Sequence, residues 1–131
     1  MRLYLFIFFF FTGSFIIAGD TTETKGSKPR ILYGTASYYS NSFNGKKTAN
    51  GEIYSHKKMT AACNVLPLGT WIKVTDLRSG KSVVVKTNDR LHSRMKRVVD
   101  LSREAAEKLG YVKSGLTRVR VEVIGQKKPE K

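Results

Sequence analysis

The stretch WIKVTDLRSGKSVVVKTNDR, residues 71–90, decides the fold. Trp71–Leu77 alternates apolar and polar side chains, and Ser82–Thr87 contains three consecutive valines, which are the patterns of half-buried and buried strands. Between them lies RSGK, in which Gly80 can adopt the positive φ of a tight turn. The stretch therefore predicts a local antiparallel hairpin of two strands.

Outward from this hairpin, the same reasoning predicts further elements. Ile31–Tyr39 is rich in β-branched and aromatic residues, and Arg118–Ile124 alternates valines with charged residues, as a half-buried strand does. One helix is predicted, because Ser102 is a good N-cap, an apolar stripe follows it, and Gly110 can end the helix. A shorter helical turn is predicted around residues 56–62.

These elements predict an all-β fold with one helix. Six or seven short strands with a single helix, within residues 31–125, are typical of a closed barrel or a compact sandwich. The barrel is favoured because closure leaves no exposed strand edges. Residues 20–30 are predicted to form a flexible linker and residues 126–131 a basic tail.

The N-terminal segment, residues 1–19, has the composition of a secretory signal peptide. Arg2 precedes sixteen uncharged residues, LYLFIFFFFTGSFIIA, and the segment ends in small residues. A bilayer span takes about 20 apolar residues, so an uncleaved anchor is the alternative interpretation. We predict export to the periplasm or secretion, without stable membrane insertion after cleavage. No lipid modification is expected because no cysteine lies near the end of the segment.

The charge of the chain predicts an anionic partner. There are 24 Lys and Arg against 10 Asp and Glu, a formal net charge of +14. Although any single lysine can serve solubility alone, an exported protein with this balance meets peptidoglycan strands and other anionic envelope polymers. These are the predicted partners, and nucleic acid is not. A monomer is expected, since no second apolar stripe is evident.

Two carboxylates are candidates for acid and base chemistry. Asp89 follows the valine strand at the point where that strand leaves the core, although a loop cap or a salt bridge with Arg90 is an alternative role. Glu52 follows the turn signal Asn50-Gly51, which would project its side chain from the rim of a barrel. Two carboxylates facing one groove could cleave a glycosidic bond without a metal or other cofactor.

The aromatic residues, the cysteine and the histidines are the other candidates for binding or catalytic roles. Tyr38, Tyr39 and Trp71 could stack on sugar rings or fill the core. The single cysteine, Cys63, cannot form an internal disulfide and is expected to be a small buried hydrophobe, with a Cys-His hydrolase as the alternative. The two histidines share no short motif with it, so no metal site is predicted.

Five ordered segments carry a resemblance to a known family: GTASYYSNSFNGKKTANGEIY (34–54), MTAACNVLPLGTWIKV (59–74), GKSVVVKTNDR (80–90), RVVDLSREAAEKLG (97–110) and GLTRVRVEVI (115–124). Together they resemble the rare lipoprotein A family of bacterial lytic transglycosylases. The fold that this resemblance implies is a six-stranded double-psi β-barrel, shared with expansins and barwin-like proteins. Cys63 stands where that family usually has histidine.

The resemblance also implies a reaction and its residues. The aspartate of NDR and the glutamate of TANGE correspond to Asp89 and Glu52. The implied reaction is endolytic, non-hydrolytic cleavage between N-acetylmuramic acid and N-acetylglucosamine, giving a 1,6-anhydro sugar. Asp89 would act as acid and then base, and Glu52 would polarise or position the sugar. The implied groove residues are Tyr38, Tyr39, Thr48, Asn50, Asn88 and Arg90. The alternative function is a non-catalytic, expansin-like barrel that binds peptidoglycan or another polysaccharide.

Overall fold

The computed structural model describes residue 28 and residues 30–130. The predicted signal peptide and nearly all of the predicted linker lie outside the described residues. The strands are β1 (Ile31–Tyr38), β2 (Thr60–Ala62), β3 (Trp71–Asp76), β4 (Ser82–Asp89), β5 (Val99–Leu101) and β6 (Thr117–Gly125). A 3-10 turn spans Asn41–Phe43, and one α-helix, α1, spans Arg103–Leu109.

The six strands form one closed barrel in the order β1-β5-β2-β4-β3-β6. The predicted all-β class and closed six-stranded barrel are thus confirmed. The predicted hairpin is confirmed as well, because β3 and β4 pair antiparallel with Thr75 opposite Ser82. Gly80 in the connecting turn has φ 75°, a conformation that favours glycine.

Two of the strand pairs are parallel, β1 with β5 and β2 with β4, and the other four are antiparallel. The helical turn predicted around residues 56–62 is wrong at its C-terminal end, where Thr60–Ala62 forms β2. All three of these residues are buried, and β2 lies between β4 and β5. Pairing on both sides therefore outweighs the helix propensity of two alanines.

The core lies inside the barrel and under α1. Its fully buried strand residues include Ile72, Val74, Val85, Val99, Leu101, Val119 and Val121. The helix follows Ser102, whose hydroxyl accepts a hydrogen bond from the Ala105 amide, and it ends at Gly110 with φ 85°. The predicted helix and both of its caps are confirmed. None of the helices within residues 30–130 has the length and hydropathy of a bilayer-spanning segment.

Gly34 in β1 leaves no room for a side chain. A Cβ added there would lie 2.9 Å from the Cβ and 3.0 Å from the Cγ1 of Val98. We therefore expect Gly34→Ala to lower the free energy of unfolding by about 1–3 kcal/mol, because the added methyl group overpacks this contact. Chemical denaturation measures the change, with Thr35→Ala on the same strand as the control.

A double variant tests the cause of that destabilisation. Val98→Gly removes both atoms that an alanine at position 34 would meet. In the Val98→Gly background, Gly34→Ala should therefore cost little further stability. An equal cost in both backgrounds would assign the effect to the backbone of β1 rather than to this contact.

Candidate active site

A cavity of about 590 Å³ lies beside the C-terminal ends of β2 and β4. Its lining residues are Tyr38, Tyr39, Ser40, Phe43, Ala62, Asp89, Arg90, Leu91, His92, Met95, Arg97 and Asp100. This volume is in the range of sites that hold small organic ligands, about 300–1,000 Å³. Aromatic faces next to carboxylates and cations suit a sugar ring, which has apolar C–H faces and a polar edge.

The half-buried carboxylate of Asp89 accepts three hydrogen bonds. The hydroxyl of Tyr39 donates to Oδ2 at 2.6 Å, and the backbone amides of Ala49 and Arg90 donate to Oδ1 at 2.9 and 2.8 Å. The guanidinium of Arg90 instead donates to the carbonyls of Cys63 and Leu66. Asp89 thus caps the loop at Ala49, but it forms no salt bridge with a described residue.

Tyr39 connects Asp89 to an aromatic cluster. Its ring stacks on Tyr54 with centroids 4.1 Å apart and planes 15° from parallel, and the edge of Phe43 lies 5.6 Å away. The Tyr54 hydroxyl is hydrogen-bonded to Nδ1 of His56 at 2.8 Å. Burial, with the hydrogen bond to Asp89, raises the pKa of Tyr39, so its phenol stays neutral and remains a donor.

Glu52 lies outside this cavity. Its Oε1 accepts a hydrogen bond from Nδ2 of Asn50 at 2.7 Å, and its Oε2 accepts one from Nδ2 of Asn88 at 3.3 Å. Nζ of Lys86 lies 3.8 Å from Oε1. The hydrogen bond from Asn50 is the largest influence on the pKa of Glu52, which is lowered although partial burial opposes the change.

The turn at residues 48–52 joins the two predicted carboxylates. It is closed by the amide of Thr48, which donates to the carbonyl of Glu52 at 2.8 Å. The backbone amide of Asn50 donates to the carbonyl of Asn88, and the backbone amide of the preceding residue, Ala49, donates to the carboxylate of Asp89. The Thr48 hydroxyl donates to the Asn50 side chain, so both residues are engaged within the turn. One turn therefore contacts both carboxylates, but only Asp89 faces the cavity.

The remaining predicted residues are distributed around the site. Tyr38 lines the cavity, and its hydroxyl donates to the carbonyl of Val112 at 2.9 Å. Asn88 is 2 % exposed, behind the 48–52 turn. Cys63 is a free, fully buried thiol in the core, as the sequence predicted. Trp71 lines a second cavity elsewhere.

Sequence reasoning missed a second carboxylate of the cavity, Asp100. Ala62 pairs with Asp89 on one side and with Asp100 on the other, so the two carboxylates flank this small residue on one face. Arg97 forms a two-pronged ion pair with Asp100, with N–O distances of 2.8 and 3.0 Å. The sequence showed Asp100 only as part of the segment RVVDLS ahead of α1. Tyr54 was missed too, although it follows Glu52 by two residues.

High pH is expected to destabilise the barrel through its buried tyrosines. Burial is the main cause that raises the pKa of Tyr111 and of Tyr39 above the ordinary value of 10.0. The unfolded chain loses these protons near pH 10, whereas the folded barrel keeps them. The stability that they contribute is therefore complete below pH 10 and falls as the pH rises further, by up to about 1.4 kcal/mol per pH unit for each tyrosine.

Denaturant unfolding between pH 8 and pH 11 measures this dependence. Tyr111→Phe removes one of the two groups, and the variant should lose stability less steeply above pH 10. The hydrogen bond from the Tyr111 hydroxyl to the carbonyl of Ser37 is lost at every pH, so it shifts the whole curve and not its slope. Identical slopes for the two proteins would contradict the prediction.

The closed six-stranded barrel with mixed strand pairing has the fold of the double-psi β-barrel proteins. A family described as "Lytic transglycolase" matches residues 32–121. The chain belongs to this family, which confirms the resemblance to the rare lipoprotein A proteins.

Two curated relatives bear the same name. The endolytic peptidoglycan transglycosylase RlpA of Pseudomonas aeruginosa PAO1 is 52% identical over 93 residues, which cover 71% of this chain and 27% of the relative. The protein of the same name from Vibrio cholerae is 48% identical over 107 residues, which cover 82% of this chain and 41% of the relative. The chain thus spans well under half the length of these relatives.

Solved structures share the fold at low sequence identity. The Streptomyces papain inhibitor superposes with a TM-score of 0.59 and 19% identity, covering 72% of this chain and 94% of its own. An expansin of Clavibacter michiganensis superposes with a TM-score of 0.59 and 22% identity, covering 78% of this chain and 53% of its own. These likenesses establish the barrel fold alone.

Proposed function

We propose that this barrel is the catalytic domain of a peptidoglycan lytic transglycosylase. The substrate is the glycan strand, cleaved within its length between N-acetylmuramic acid and N-acetylglucosamine. The observation that carries the proposal is Asp89, a carboxylate on a sugar-sized cavity that is held by three hydrogen-bond donors and has no cationic partner among residues 30–130. The names of the curated relatives support it.

Asp89 acts first as an acid and then as a base. Its carboxyl proton passes to the glycosidic oxygen as the bond to C1 of muramic acid breaks. The charge left on Asp89 is stabilised by the Tyr39 hydroxyl and by the Ala49 and Arg90 amides. The carboxylate then takes the proton of the C6 hydroxyl while that oxygen bonds to C1. The 1,6-anhydro ring closes, Asp89 regains its proton, and no water is consumed.

The other cavity residues bind and orient the sugar. The side chains of Tyr38 and Phe43 line the cavity and offer apolar contact to the C–H faces of a sugar ring. The ion pair of Arg97 and Asp100 offers hydrogen bonds to hydroxyl and acetamido groups on the wall flanking Ala62. Glu52 acts from outside the cavity as a positioning residue, since it holds the turn that supplies the Ala49 amide.

The place of action follows from the substrate. We propose that the domain works outside the cytoplasm, in the periplasm or after secretion, where peptidoglycan strands lie. The formal net charge of the whole chain, +14, favours association with that polymer, with other anionic envelope polymers as weaker partners. Asp89 and its cavity belong to one chain, so a monomer suffices for the reaction.

Mass spectrometry of digested sacculi tests the proposal. The purified protein is incubated with isolated sacculi, both intact and stripped of stem peptides. The expected products are fragments that end in 1,6-anhydro-N-acetylmuramic acid. Fragments with reducing ends, 18 mass units heavier, would instead indicate hydrolysis. Binding to sacculi without any release would favour the non-catalytic, expansin-like alternative.

A further inference from the structure

A second cavity, of about 530 Å³, lies on the outside of the barrel and shares no lining residue with the Asp89 cavity. Trp71 and Val84 line it from the paired strands β3 and β4, and Met59 lines it from the residue before β2. Trp71 is only partly buried and Val84 is 37% exposed. An indole face beside aliphatic side chains gives this cavity the apolar floor that stacks on sugar rings.

C-terminal residues form one wall of this cavity. Gln126 donates from Nε2 to Oγ1 of Thr70 at 2.8 Å, which holds the segment against the start of β3. Two residues further on, Nζ of Lys128 lies 5.8 Å from the centre of the Trp71 ring. The ammonium group is thus placed over the aromatic face, at the distance of a cation–π contact.

The charge of the cavity favours an anionic ligand. Three lysines line it, Lys58, Lys86 and Lys128, against one carboxylate, Glu130. Nζ of Lys86 also lies 3.8 Å from Oε1 of Glu52, whose carboxylate already accepts hydrogen bonds from the side-chain amides of Asn50 and Asn88. Lys58 and Lys128 have no carboxylate within salt-bridge distance in the part of the chain that the structure describes. No described carboxylate neutralises either ammonium group, so both can bind a carboxylate on a ligand.

We propose that this cavity is a second saccharide-binding site, for a sugar unit that carries a carboxylate. A ring of the ligand packs against Trp71 beside the Lys128 ammonium, and its acidic substituent is bound by Lys58 and Lys128. The inference rests on the proposed function and deepens it, because the muramic acid units of a glycan strand carry such a free carboxylate once their stem peptides have been removed. Lys86 borders both this cavity and Glu52, so the site adjoins the turn that contacts Asp89.

Tryptophan fluorescence tests the site directly, because Trp71 is the only tryptophan of the chain. The full chain carrying Asp89→Asn, which is expected not to cleave, is titrated with a tetrasaccharide that alternates N-acetylglucosamine and N-acetylmuramic acid. Circular dichroism checks its fold. We expect a saturable change in emission, with an affinity about fivefold or more above that for neutral chitotetraose. The difference should shrink as salt is added.

Lysine variants identify the groups that bind the carboxylate. Lys58→Ala and Lys128→Ala should each weaken binding of the acidic tetrasaccharide about fivefold and leave chitotetraose binding nearly unchanged. Lys108→Ala is the matched control, since Lys108 lies on α1 and lines neither cavity. Equal affinities for both saccharides, no saturable change in Trp71 emission, or unaltered binding by both lysine variants would overturn the proposal.

Product release by the wild-type chain and the Trp71 titration of its Asp89→Asn variant test the proposed function and this inference separately. If the wild-type chain releases 1,6-anhydro products but Trp71 does not respond, the second site is wrong and the catalytic proposal stands. If Trp71 responds as expected but no anhydro products form, the second site stands and the catalytic proposal is wrong.

Discussion

Asp89→Asn is expected to reduce the release of 1,6-anhydro products by about 10²- to 10⁴-fold, the range that one general acid and base contributes. Asparagine has nearly the same shape but cannot donate a carboxyl proton to the glycosidic oxygen. Its amide oxygen can still accept the hydrogen bonds of the Ala49 and Arg90 amides. The variant should therefore fold and bind sacculi while losing cleavage, which mass spectrometry of the digest measures.

Asp100→Asn is the matched control for that experiment. Both carboxylates line the cavity and flank Ala62, but Asp100 is already paired with Arg97. Its loss should slow cleavage by about tenfold at most, through a disturbed Arg97. Products that persist with Asp89→Asn but disappear with Asp100→Asn would reverse the assignment of the acid.

Glu52→Ala is expected to lower the turnover rate by about 10- to 100-fold. The variant keeps the backbone hydrogen bonds of the 48–52 turn but loses those that the Glu52 carboxylate accepts from Asn50 and Asn88, so the Ala49 amide holds Asp89 less firmly. A displacement of about 1 Å at a catalytic group is enough for such an effect. KM should change little because Glu52 does not line the cavity.

Glu52→Gln distinguishes positioning from direct chemistry. Glutamine keeps one oxygen that can accept from Asn50 or Asn88, so its rate should fall between those of the wild type and Glu52→Ala. Hydrogen exchange of the Ala49 amide should become faster in step with the loss of rate. A complete loss of cleavage with Ala49 still protected would instead mean that Glu52 acts on the sugar itself. Glu104→Ala, on α1, is the control.

The sequence predicted the local elements well for identifiable reasons. Each signal lies within or next to the element that it predicts. The hairpin contains its own three valines and turn glycine, β6 contains its own alternating charges, and α1 is flanked by its caps, Ser102 and Gly110. By contrast β2 is three residues long, too short to show a period of two. Its strand conformation comes from β4 and β5 on either side of it.

Part of the candidate site was likewise predicted from local sequence, and part depends on the tertiary structure. Asp89 and Glu52 were predicted from recognisable segments, NDR and TANGE, and the 48–52 turn is a local feature, whereas its contact with Asp89 joins residues 40 positions apart. That Asp89 faces a cavity while Glu52 lies outside it depends on the direction of each side chain in the closed sheet. Tyr54 joins the site by stacking on Tyr39, and Asp100 joins it because its strand residue pairs with Ala62. Both contacts are between residues distant in the chain, so no local sequence pattern predicted them.

The amino-acid sequence by itself determined the class of fold, the hairpin, the helix with its caps, and the family to which the chain belongs. Those features depend on the order of side chains within short segments and on recognisable motifs. Only the tertiary structure decided the parallel pairs β1–β5 and β2–β4, the placement of Asp89 and Asp100 on either side of Ala62, and the gathering of three lysines in the cavity that Trp71 lines. The physical reason is that burial and barrel closure choose among distant partners by their combined packing, which no single segment encodes.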